Sequence, residues 1–121
     1  MVPAQHDLTI YRDRDFSQVF YFKSHGAAMD LTGYSAAAQI RPAKDAEDLI
    51  VNFDVQIDEA IGQITIGLLH SQTIAMMNNM GLWDLVLTDP HGLRQNYIEG
   101  QVKVLGTVTR GDEEPGGVEV G

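Results

Sequence analysis

Four histidines, His6, His25, His70 and His91, are the side chains whose ordinary pKa best suits them to bind a metal or carry a proton near neutral pH. They are scattered along the chain, each at an expected turn or terminus where an exposed imidazole is ordinary, and they form no zinc-ligand spacing. Asp13 and Asp15 make an Asp-x-Asp pair, and Asp45, Glu47 and Asp48 cluster in a loop. Carboxylates suit calcium, but that ion collects roughly six to eight converging oxygens, and solvated loop charges do not supply them. The chain has no Gly-x-Ser-x-Gly elbow, no P-loop and no Gly-x-Gly-x-x-Gly, so activated-serine, nucleotide-phosphate and dinucleotide chemistry lack their anchors. With no cysteine there is also no thiolate nucleophile, Cys-type zinc site, iron–sulfur centre or disulfide. No nucleophile, base and orienting group can be assembled from this inventory. No catalytic, cofactor-binding or metal-ligating residue is therefore assigned, no cofactor is expected, and the expectation is a protein that is not an enzyme.

Three sets of apolar or aromatic residues offer recognition instead. Trp83, the single tryptophan, could stack on a sugar ring from an open sheet face. It shares its face with Leu85 and Leu87, which assigns it to the core. Met76, Met77 and Met80 gather around an expected short helix, where they provide either an adaptable partner surface or a plug for one end of the core. Tyr11, Tyr21 and Tyr97 fall on faces expected to look toward solvent, which makes them the candidates for binding a carbohydrate or receptor.

The elements that must position these residues are strands, because the chain alternates with period 2 almost throughout. Residues 7 to 11 put Leu8 and Ile10 on one face. The run 16 to 23 sets Phe16, Phe20 and Phe22 against Ser17, Tyr21 and Lys23, and the turn at 24 to 27 closes it. A third strand over 34 to 41 is stopped by Pro42. The cleanest alternation is 49 to 57, with Leu49, Val51, Phe53, Val55 and Ile57 facing one way. It forms a hairpin with 63 to 69 through the loop at 58 to 62. Residues 71 to 79 read as a helix of about two turns, capped by Ser71 and ended by Gly81. Strands return over 82 to 88 and 93 to 105, joined by the type I turn Asp89-Pro90-His91-Gly92. Gly100 marks a bulge or a close approach in the last of them.

About seven such strands with one short helix predict two sheets packed face to face, an all-β, immunoglobulin-like antiparallel sandwich, with a closed barrel as the competing architecture. The expected organisation is an N-terminal arm at 1–6, one sandwich domain at 7–106, and a flexible acidic tail at 107–121. The length of 121 residues suits one core, and the net charge of −9 argues against surfaces that neutralise phosphates or anionic headgroups, so neither nucleic acid nor membrane insertion is expected. The start lacks a charged region followed by an apolar one, so no N-terminal export signal is expected.

The segments DLTIYRDRDF (7 to 16), DLTGY (30 to 34), AAAQIRP (36 to 42), GLWDLVLTDPHG (81 to 92) and EGQVKV (99 to 104), in this order and spacing, resemble a family of small phage tail and baseplate proteins, in particular the N-terminal domain of baseplate upper proteins. One departure is visible: where the family tends to have a Gly-containing corner after its first strand, this chain has Arg12, Asp13 and Arg14. The resemblance implies a non-enzymatic structural component of a bacteriophage virion with an immunoglobulin-like sandwich. It implies a tail or baseplate position, synthesis in the cytoplasm of a bacterial host, other virion proteins as partners and a three- or six-fold homo-oligomer. A carbohydrate- or receptor-binding module on the same sandwich is the alternative.

Overall fold

The period-2 segments become strands that share their inward faces, as apolar alternation requires. The structure, a computed structural model, describes residues 2–109. In chain order the strands are β1 (Ala4–Gln5), β2 (Leu8–Tyr11), β3 (Phe16–Tyr21), β4 (Lys23–Ser24), β5 (Ala27–Ala28), β6 (Ser35–Arg41), β7 (Val51–Asn52), β8 (Asp54–Asp58), β9 (Gln63–Leu68), β10 (Met80–Thr88) and β11 (Arg94–Leu105). Two short helical pieces interrupt them, a 3₁₀ turn at Glu59–Ile61 and the helix α1 at His70–Thr73. The first sheet runs β1–β11–β10–β6–β7 with β2 also on β11, the second runs β3–β9–β8, and β4 and β5 form a separate two-stranded ribbon. The expected seven strands are those of four or more residues, and the other four are two residues each. Taken in chain order as A to G, the long strands give B–E–D in one sheet and C–F–G in the other, the order of an immunoglobulin-like sandwich. The fold is not purely antiparallel: β1 and β2 both pair with β11 in parallel.

The core lies between the sheets. Leu8 and Ile10 of β2, Ala38 and Ile40 of β6, Trp83, Leu85 and Leu87 of β10 and Ile98, Val102 and Val104 of β11 meet Ile64, Ile66 and Leu68 of β9, with Phe16 and Phe20 packed against them. Trp83 stacks on Phe20 at 5.7 Å between centroids, meets Phe53 edge-on at 6.1 Å, and donates its indole N–H to the His6 carbonyl at 2.8 Å.

Three expectations are corrected, and one left between two readings is decided. The single strand expected over 49–57 is two: Phe53 donates its N–H to Ala38 on the first sheet, and the chain then crosses to pair with β9 on the second. Val51, Phe53, Val55 and Ile57 still point inward, because the crossing runs along the side where the two sheets meet, but Leu49 is exposed and Ile50 packs against the core instead. The two-turn helix over 71–79 is only the four residues of α1, and Leu69, not Ser71, precedes its first turn. The Asn79 carbonyl accepts from Val104 and Met80 pairs with Lys103, so sheet bonding captures the stretch that a longer helix would need, and Gly81 lies inside β10. The bulge in β11 falls at Tyr97, since Leu85 opposes Ile98 while Val86 opposes Asn96. Of the two readings of Gly100, the close approach holds: a Cβ there would collide with the His6 carbonyl. Finally, part of the expected N-terminal arm is sheet, with Ala4 and Gln5 paired to Ile98 and Glu99 and His6 donating to Glu99. The expected tail lies outside the described residues from position 110 onward; before that, Thr107 donates to the Arg12 carbonyl and Arg14 to the Thr109 carbonyl.

The corner at 12–14 turns through a left-handed residue. Asp13 has φ of 62°, a left-handed conformation that asparagine and aspartate tolerate better than other residues with a side chain. Likewise His25 and Gly26, at φ of 54° and 79°, make the two-residue turn of the β4–β5 ribbon.

Candidate interaction surfaces

The structure keeps the four histidines apart. His6 sets its ring edge-on against Phe20 at 5.3 Å, His25 occupies a hairpin turn, and the His91 N–H is held by Asp89. His70 begins α1, where both its backbone N–H and its Nδ1 lie against Asp15 Oδ1, at 2.7 and 2.9 Å. Those hydrogen bonds hold the Asp15 carboxyl below the usual aspartate range. Asp13 is turned to Arg14 at 3.8 Å, so the Asp-x-Asp pair splits between two partners. Asp45, Glu47 and Asp48 are exposed on the β6–β7 loop, whose backbone carbonyls at Ala46 and Glu47 accept from Arg41. Among the described residues no three His, Asp or Glu side chains converge as metal ligands.

The recognition candidates divide. Trp83 is core. Met76 is buried at 3% exposure, whereas Met77 and Met80 are exposed at 86% and 61%. Tyr11 and Tyr21 face solvent, but Tyr97 is half-buried and packs edge-on against Phe22 at 5.9 Å, because the bulge turns it from the face that simple alternation assigns. Burial is also the main reason its phenol titrates above the usual tyrosine range.

Two surfaces emerge on the outer face of the first sheet. At one end, Tyr11 of β2 is the direct neighbour of Leu105 of β11, and Met80 of β10 lies diagonal to Leu105 through its pairing with Lys103. Arg12 ties the 76–79 loop to this corner by donating to the Met76 carbonyl at 2.7 Å and to the Asn78 carbonyl at 3.1 Å. Tyr11, Met80 and Leu105 thus form an exposed apolar corner, with the exposed Met77 on the loop that Arg12 holds beside it.

Further along the same face is a polar cleft of about 430 Å³, lined by Gln5, Gln39, Lys44, Asp84, Glu99 and Gln101 among others. Asp84 lies on its floor between two strand partners, Gln39 on β6 and Glu99 on β11. Desolvation first, and then the like charge of Glu99, push the Asp84 carboxyl above its usual range. Lys44 reaches from the β6–β7 loop over β10 to bind Glu99 at 3.2 Å. The cleft can bind groups that donate hydrogen bonds. Alternation alone points Asp84 outward, but its apposition to Glu99 depends on strand register and was not legible beforehand.

No protein-family model matches the chain, and no curated protein does. No helix among the described residues is long and apolar enough to cross a membrane.

Proposed function

We propose that the chain is a non-enzymatic structural component of a bacteriophage virion, a tail or baseplate protein that assembles with other virion subunits. The observation that carries this reading is the apolar corner of Tyr11, Met80 and Leu105, exposed at 50%, 61% and 38%, with Met77, exposed at 86%, on the adjoining loop. Large apolar side chains grouped on the outside of a sheet mark contact with another protein. The resemblance of five ordered segments to phage tail and baseplate proteins supports the kind of partner. Those segments also carry the frame of the sandwich: the β2 corner, the inward alternation of β6 and β10, and the Asp89 turn. In this reading the subunit packs in a three- or six-fold ring with other virion proteins.

The test is mass spectrometry of purified particles of the phage that encodes the chain. Peptides at a fixed copy number per particle are expected, and the double substitution Met80→Ser with Leu105→Ser is expected to lower incorporation at least tenfold. Complete, infectious particles without the chain would overturn the reading. The polar cleft over Asp84 favours a second reading, a carbohydrate- or receptor-binding module. Its signature is glycan-array binding that is lost in Glu99→Ala and retained in the Met80/Leu105 variant.

A further inference from the structure

The second sheet ends at β3, whose far side has no strand partner among the described residues. In the commoner immunoglobulin arrangement a first strand covers this edge, but here both N-terminal strands pair with β11. Phe22 donates to the Gly62 carbonyl at 2.7 Å, continuing the register that sets Tyr21 against Gln63. Antiparallel ladders alternate, so Phe16, Gln18 and Phe20 turn their backbone groups to β9, while Ser17, Val19 and Tyr21 turn theirs to the open side. The Phe22 carbonyl accepts from Met29, which puts β5 on the β9 side and leaves the edge open as far as Lys23. Proteins guard such edges with charge, proline or bulges. The run Phe-Ser-Gln-Val-Phe-Tyr has none of these. One carbonyl, that of Val19, is capped by the Gln18 side-chain amide at 3.1 Å, a donor standing where a partner strand's N–H would sit.

We propose that the β3 edge is a two-fold interface that pairs with β3 of a second copy of this chain, centred on Val19. The edge is self-complementary about that residue. Antiparallel pairing of Val19 with its own copy sets Ser17 against Tyr21 of the partner subunit, and every outward N–H and C=O of the three residues finds its counterpart. The same register brings Asp15 to Lys23 of the partner subunit at both ends. Asp15 is 69% exposed in its side chain and its contacts to His70 use only Oδ1, and Lys23 is exposed with no ion pair among the described residues. An uncharged strand bracketed by one acid and one base at symmetric positions is a charge pattern that complements itself under a two-fold rotation and under no parallel pairing. The interface uses a different surface from the apolar corner and holds whatever larger assembly the dimer enters.

Cysteine cross-linking and sedimentation of the full chain test it. The chain has no native cysteine, so Val19→Cys is expected to give a disulfide dimer under mild oxidation, because the two-fold places the pair at a bridgeable separation. Ser17→Cys alone is expected to cross-link at least tenfold less, and the double variant Ser17→Cys with Tyr21→Cys to recover it. Wild type is expected to sediment at twice the 13.3 kDa chain mass. Val19→Pro, which removes an N–H that β9 does not use, and Lys23→Glu, which sets like charges together, are each expected to shift it to monomer with far-ultraviolet circular dichroism unchanged. The exchange Asp15→Lys with Lys23→Asp is expected to restore the dimer. A monomeric wild type, equal cross-linking from positions 17 and 19, or a dimer that appears only on truncation after Arg110 would overturn the proposal; the last outcome would give the edge to the chain's own C-terminal residues.

Discussion

Removing the indole of Trp83 perturbs the centre of the sandwich. The side chain is 3% exposed, stacked on Phe20 and edge-on to Phe53, so it ties β10 of the first sheet to β3 of the second and to the crossover between them. Large-to-small substitution of a buried aromatic costs about 3–5 kcal/mol, a range that already includes its ring contacts. The His6 carbonyl also loses its donor, adding about 1 kcal/mol. Trp83→Ala should therefore remove about 4–6 kcal/mol from a domain that has roughly 5–15 kcal/mol to lose. At about 4 °C per kcal/mol the melting temperature should fall by roughly 16–24 °C. Trp83→Phe keeps most of the stacking and loses the indole bond, so it should cost about 1–2 kcal/mol. Calorimetry and urea titration followed by circular dichroism would read both variants. A Trp83→Ala protein that is soluble and melts within about 3 °C of wild type would refute the argument, since no surface tryptophan produces the calculated loss.

Gly100→Ala drives a methyl group into the His6 carbonyl and should cost about 1–3 kcal/mol, with hydrogen exchange accelerated first at residues 4–6. At the left-handed Asp13, Asp13→Val should cost about 1–2 kcal/mol, whereas Asp13→Gly should melt within a few degrees of wild type. The raised Asp84 pKa fixes a sign for pH. The folded state holds the proton more tightly than the unfolded state, so ionising Asp84 lowers stability as pH rises through its folded pKa, and the loss is absent below the unfolded value. Asp84→Asn should accordingly raise the melting temperature at pH 7 and give no gain at pH 3, as calorimetry at the two pH values would show.

Local pattern determined the strands, their inward faces and the turns, because alternation reports burial directly. Ile64, Ile66 and Leu68, or Trp83, Leu85 and Leu87, have only one way to face once a core exists. The Asp89 turn was equally legible, since its bonds join near neighbours in the chain: Gly92 donates to the Asp89 carbonyl, and His91 and Leu93 to the Asp89 carboxylate. What alternation cannot report is which sheet a strand joins. Val51, Phe53, Val55 and Ile57 keep one inward face while the chain passes from the first sheet to the second at Phe53, so their pattern is the same on either side of the crossing. The helix was overestimated for a related reason: its local signals were outweighed by hydrogen bonds to β11, some twenty-five residues away in sequence. Register is likewise a long-range property. It inserts Tyr97 as a bulge, sets Asp84 beside Glu99, gathers Tyr11, Met80 and Leu105 from three strands, and leaves one side of β3 without a strand partner among the described residues by sending both N-terminal strands to β11. Each surface on which a partner could act was therefore decided by tertiary pairing, because the bonds that build it join residues whose separation no local period encodes.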